Sequence, residues 1–69
     1  MRIRDLREDA DKTQKEISEI LHIKQNTYSQ YENGQIQIPI DFLIILARYY
    51  KTSTDYILGL TDVRKPYDR

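Results

Sequence analysis

Residues 13–34, TQKEISEILHIKQNTYSQYENG, decide how this chain is read. Thr13 and Glu16 form a T-x-x-E capping box: the hydroxyl satisfies a backbone N–H inside the first turn and the carboxylate reaches back to the cap. Ile17, Ile20 and Leu21 follow at helical spacing. His22 and Ile23 make a turn. Gln25 to Asn33 resumes the helical period, with Tyr28 and Tyr31 facing inward, and Asn33-Gly34 ends it because glycine takes the left-handed conformation without a Cβ penalty. The segment is therefore two short helices on a tight turn, the second carrying a face of uncharged amide and hydroxyl side chains.

The same period extends outward. Ile3, Leu6, Arg7 and Ala10 share one face of a preceding helix. Gln35 to Pro39 is a loop, and a fourth helix runs from about Ile40 to Lys51, with Pro39 just before it or at its first position. Leu43, Leu46, Ala47 and Tyr50 point inward. Ser53 or Thr54 caps a fifth helix through Leu58, stopped by Gly59. The only alternating stretch, Gln35 to Ile38, is too short and isolated to pair as a strand. The expectation is an all-α domain over residues 1–60 and a fraying tail over 61–69 that contains Pro66.

A chain of 69 residues is one small domain whose core contributes a few kcal/mol of net stability. Without cysteine there is no disulfide or thiolate metal site, and the single His22 has no second histidine to form a metal pair. The longest apolar run, Phe42 to Ala47, is too short to span a membrane, and the N-terminal arginines precede no signal-peptide core. Eleven basic and eleven acidic residues give zero net charge, against the basic balance of many nucleic-acid binders. Basic side chains gather at the ends, at Arg2, Arg4 and Arg7 and at Arg64, Lys65 and Arg69, while Gln25 to Gln35 contains none.

Four marks in order, IRDLRED, TQKEIS, YSQYENG and DFLIILARYYKTSTDYILGL, cover about Ile3 to Leu60. In them the chain resembles the Cro/repressor-type helix-turn-helix domain, the lambda-repressor-like fold of five short helices found in the xenobiotic-response-element family of regulators. The resemblance implies a helix-turn-helix formed by the second and third helices, with the third reading DNA bases. It places Gln25, Asn26 and Gln30 at base-reading positions, with Ser29 and Thr27 on or beside that face as secondary base or phosphate contacts. Gln14 takes the position of a phosphate-binding glutamine, and Arg7 and Glu32 those of a pair joining the first helix to the end of the third. The chain departs from the family at His22, where the turn usually has glycine, at Ser18, where alanine is common, and in the loop of Gln35, Ile36, Gln37 and Ile38, which lacks the usual basic residues.

Asn and Gln can each make two hydrogen bonds to adenine in the major groove, worth roughly 1–3 kcal/mol of discrimination per good pair. Half-sites rich in A·T pairs are therefore expected; the alternative is a merely solvated polar face. Lys24, Lys15, Arg4 and Arg2 are candidate phosphate contacts, set against ordinary solvation, with Lys24 favoured because it directly precedes the reading helix. Tyr28 and Tyr31 read as core and not as a base-stacking platform, while Tyr49, Tyr56 and Tyr67 are less determined. Ile36, Ile38 and Ile40, with Ile44 and Ile45, exceed what one small core can bury. The loop carrying the first three, with the end of the fifth helix, is the expected isologous contact of a homodimer on half-sites spaced by roughly 34 Å; the alternative is a further layer of the monomer's own core.

The sequence thus points to a sequence-specific DNA-binding regulator, expected to be a repressor on a two-fold operator, of the prokaryotic cytoplasm or nucleoid, phage or chromosomal, without cofactor or metal, and possible as a piece of a longer regulator. The second reading is a protein-interaction module or antitoxin-type partner binder on the same fold. An enzyme reading lacks a nucleophile–base pair, a metal-ligand cluster or a phosphate-cradling loop.

Overall fold

The computed structural model describes residues 1–65, so the readings of Pro66, Tyr67 and Arg69 lie outside the described residues. The described residues form α1 (Ile3–Asp9), α2 (Gln14–Ile20), α3 (Gln25–Glu32), α4 (Ile40–Tyr49) and α5 (Thr54–Leu58), with no strand among them. This is the all-α, five-helix arrangement the resemblance implies. Thr13 caps α2 with the full reciprocal box, its hydroxyl accepting from Glu16 N at 3.1 Å while its own N donates to Glu16 Oε1 at 3.0 Å. Ser53 caps α5 by accepting from Tyr56 N at 3.0 Å. Pro39 sits at the N-cap of α4, outside the helix proper.

All five helices end in the same way. The left-handed residue donates its N–H to the carbonyl three positions back, and the next N–H reaches five back: Asp11 and Lys12 after α1, His22 and Ile23 after α2, Gly34 and Gln35 after α3, Lys51 and Thr52 after α4, Gly59 and Leu60 after α5. These paired bonds satisfy carbonyls that a helix end leaves open. Two of the five left-handed residues are the glycines; Asp11, His22 and Lys51 hold φ of 55°, 57° and 55° with a Cβ in place. The first of these turns ends α1 at Asp9, so Ala10 lies beyond the helix and is exposed, contrary to its expected place on the buried face.

One core joins the elements: Ile3 and Leu6 of α1, Ile17 and Leu21 around α2, Tyr28 and Tyr31 of α3, Leu43, Leu46, Ala47 and Tyr50 of α4, and Ile57 of α5. Ile38 enters it too, only 9% exposed, so of the three isoleucines expected at a dimer contact this one packs within the protomer. Phe42 borders the core and meets the Tyr31 ring at 6.3 Å. Leu46 is fully buried; truncating such a side chain costs about 2–5 kcal/mol, comparable with the whole stability of a small domain.

The chain after α5 is tied back to the start. Arg2 donates to Thr61 O at 2.7 Å, to Tyr56 O at 3.2 Å and to Asp62 at 2.6 Å, with its guanidinium 4.2 Å from the Tyr56 ring centre. Thr52 Oγ1 donates to Arg64 O, and Arg64 approaches Asp9. Arg2, one of the candidate phosphate contacts, is thus occupied inside the protein, at the seam between the first residues and the segment after α5.

Candidate nucleic-acid interface

Two helices built from adjacent sequence position the candidate site. The capping box starts α2 at Gln14, and the turn at His22 redirects the chain so that α3 packs on α2, with Tyr28 and Tyr31 buried in the core. Ser18, where α2 needs a small residue, is buried and donates its hydroxyl to Lys15 O at 2.7 Å, so its polarity costs little inside.

With Tyr28 and Tyr31 inward, the start of α3 is left in solvent. Gln25 and Asn26 are exposed; Thr27, Ser29 and Gln30 are half-buried. Among the described residues, no side-chain hydrogen bond engages any of these five. Lys24, at the N-cap, is exposed and provides no side-chain cap, so the first N–H groups of α3 have no side-chain partner. Lys15, on α2, is exposed as well. The arrangement presents amide and hydroxyl donors and acceptors beside two cations, the chemistry that hydrogen-bonds base edges and phosphates.

The other end of α3 is anchored. Glu32, its last residue, has a side chain with no solvent exposure. Arg7 meets it bidentately, Nε to Oε2 at 2.7 Å and Nη2 to Oε1 at 3.1 Å, and Arg7 Nη1 also donates to Lys12 O at 3.0 Å. Gln14 Nε2 donates to Glu32 Oε1 at 3.2 Å, and Arg4 Nε lies 3.4 Å from the same oxygen while its Nη2 donates to Asn33 Oδ1 at 2.9 Å. Burial alone pushes the Glu32 carboxyl up, but hydrogen bonds from Arg7 and Gln14 and the nearby Tyr28 hydroxyl outweigh it and hold the group down at about 2. The Tyr28 hydroxyl closes no well-formed hydrogen bond, and burial raises its own pKa. The Glu32 contact in turn raises the Arg7 guanidinium further.

The residues nominated from sequence therefore fall into two groups. Gln25, Asn26, Thr27 and Lys24 gather at the open end of α3, with Ser29 and Gln30 further along the helix. Arg7, Glu32, Gln14 and Arg4 gather at its closed end, about 10 Å away along a helix of this length. Sequence reasoning gave the Arg7–Glu32 pair only through the resemblance, and missed that Gln14, Arg4 and Asn33 join it. No spacing in a linear chain announces a contact between positions 14 and 32 made by a polar side chain.

Ile36 and Ile40 remain exposed. They line a groove together with Met1 and Leu58 of α5, so the loop after α3 and the end of α5 share one apolar surface. Among the described residues no three His, Cys, Asp or Glu side chains cluster to hold a metal ion, and no helix is long and apolar enough to cross a membrane.

Comparison with known proteins agrees with this geometry. A family model described as helix-turn-helix matches residues 3–57. The chain is 43% identical over 65 residues to an uncharacterised HTH-type transcriptional regulator, YobD, of Bacillus subtilis, covering 94% of this chain and 58% of that protein. It is 41% identical over 64 residues to the HTH-type transcriptional regulator ImmR of the same organism, covering 93% of this chain and 50% of that protein. The chain thus spans about half the length of these two relatives. No solved structure matches it significantly.

Proposed function

The chain belongs to the Cro/repressor-type helix-turn-helix family, and from that footing we propose that it is a sequence-specific DNA-binding transcriptional regulator. The observation that carries the reading is the contrast along α3: an open, unpartnered amide face at its start, on a helix fixed at its other end through Glu32. The names of both relatives as transcriptional regulators support it. In this proposal Gln25, Asn26, Gln30 and Ser29 read bases in the major groove, while Gln14, Thr27, Lys24, Lys15 and Arg4 hold phosphates. Repression follows from occupying an operator that polymerase needs.

Two copies bind a two-fold operator, in contact through Ile36, Ile40 and Leu58. The groove these side chains share supports this, with Ile38 buttressing the loop from beneath. The same apolar groove also favours the second reading, in which it receives a different protein. Selection of sites from a random duplex library at two salt concentrations tests the reading. A two-fold motif with A·T-rich half-sites, bound more weakly at high salt, is expected, because phosphate contacts release counterions. No enrichment at either salt would remove DNA as the partner.

A further inference from the structure

Glu32, the anchor of the reading helix, touches Arg7 and two nominated phosphate contacts, Gln14 and Arg4. Its four donor contacts, two from Arg7 and one each from Gln14 and Arg4, divide unevenly, three on Oε1 and one on Oε2. The Gln14 contact has a definite sense: a carboxylate repels the amide oxygen and takes the amide nitrogen, so Gln14 cannot flip without losing the bond. An NH2 group carries two hydrogens. With one given to Glu32, the other diverges from it, on a side chain that is half-buried and makes no other hydrogen bond among the described residues.

We propose that Glu32 is a positioning residue for DNA: it fixes the Gln14 carboxamide donor-side out, so that one N–H meets a backbone phosphate while the other stays on Glu32. Because Glu32 is also the last residue of α3, the phosphate contact and the base-reading face are set by a single group. A phosphate seated on Gln14 then determines the depth at which Gln25 and Asn26 enter the groove. Arg7 makes this possible by neutralising the carboxylate that would otherwise repel the phosphate. The inference rests on the DNA-binding reading.

The test uses the duplex selected by the wild-type protein, with single neutral methylphosphonates placed in turn along its backbone. Among the positions that weaken the wild type, the one facing Gln14 is expected to cost about tenfold in affinity, the worth of a hydrogen bond to a charged group. Gln14→Ala and Glu32→Gln are each expected to lose about tenfold on the unmodified duplex and to be indifferent, within twofold, to the substitution at that same position. The Gln14→Ala/Glu32→Gln double variant should bind no more weakly than Gln14→Ala. Full sensitivity retained by Glu32→Gln overturns the proposal.

A measurement on the wild type covers the case in which Glu32→Gln does not fold. In the Gln14 side-chain amide NMR signals, addition of the duplex should move one proton and leave the other, which is on Glu32, in place. Movement of both shows that Gln14 abandons Glu32 for the phosphate, and overturns it equally. If the wild type selects no duplex, this role and the DNA reading fall together; a selected duplex with either contrary result removes only the role of Glu32.

Discussion

The two ends of α3 are built on opposite principles. At Glu32 a buried charge is surrounded by donors from α1 and α2; at Gln25 and Asn26 polar groups stand in solvent without protein partners. The first arrangement tolerates no loss, because a buried group deprived of its partner bears the full cost of desolvation. The second costs nothing to alter in the folded state, since water replaces whatever is removed. A helix that must be held rigid and also read a surface separates these tasks along its length.

Breaking the closed end should have the largest effect. Glu32→Ala leaves Arg7 without its buried partner and is expected to destabilise by about 3–5 kcal/mol, read as a fall in the urea midpoint. An unchanged midpoint would mean that the junction is solvated after all. Acid should do the same reversibly. The folded carboxyl lies at about 2, below the ordinary value of 4.5, so its contribution is fully present above about pH 4.5 and is lost as pH falls towards 2. That contribution is of order 3 kcal/mol, and a flat stability profile across this window would contradict it.

On the amide face of α3, Gln25→Ala and Gln30→Ala should each leave the melting transition within about 0.5 kcal/mol of wild type while relaxing operator discrimination by about 1–3 kcal/mol. If both left selectivity unchanged, these glutamines would be no more than a solvated face. Lys24→Ser sharpens the comparison by separating stability from binding. The missing side-chain cap of α3 would be supplied, adding about 1 kcal/mol of stability. Loss of one phosphate contact should meanwhile lower the salt slope of binding by about 0.9; an unchanged slope would exclude Lys24 from the phosphates. The smallest effect belongs to the turn between the helices: His22→Gly should stabilise by about 0.5–1 kcal/mol in calorimetry, because the left-handed backbone strains a residue with a Cβ. A loss of stability there would point to a contact of the imidazole that outweighs the strain.

Much of the fold was legible because it is local. The Thr13–Glu16 box, the stop at Gly34 and the cap at Ser53 depend on side chains within a few positions of the backbone groups they satisfy. The left-handed turns at Asp11 and Lys51 were not read from sequence: aspartate tolerates positive φ without requiring it, and lysine does not advertise it. Ile36, Ile38 and Ile40 show the same limit. Their alternation is visible in sequence, but only the packed loop separates buried Ile38 from the exposed pair. Arg2 and Arg4 looked alike as basic residues near the N-terminus, yet one is held by the segment after α5 and the other stands against the end of α3.

The sequence by itself determined five helices, their order, most of their caps and the amide-rich face of α3, because helical period and capping chemistry act over three to five residues. Tertiary structure alone decided which polar side chains are held by the protein and which stand clear of it. Gln14 and Gln25 are the same residue type; burial of Glu32 draws one of them in, and no neighbour reaches the other. A carboxylate withdrawn from water must collect its donors from wherever the folded chain brings them, and that collection has no signature in linear order.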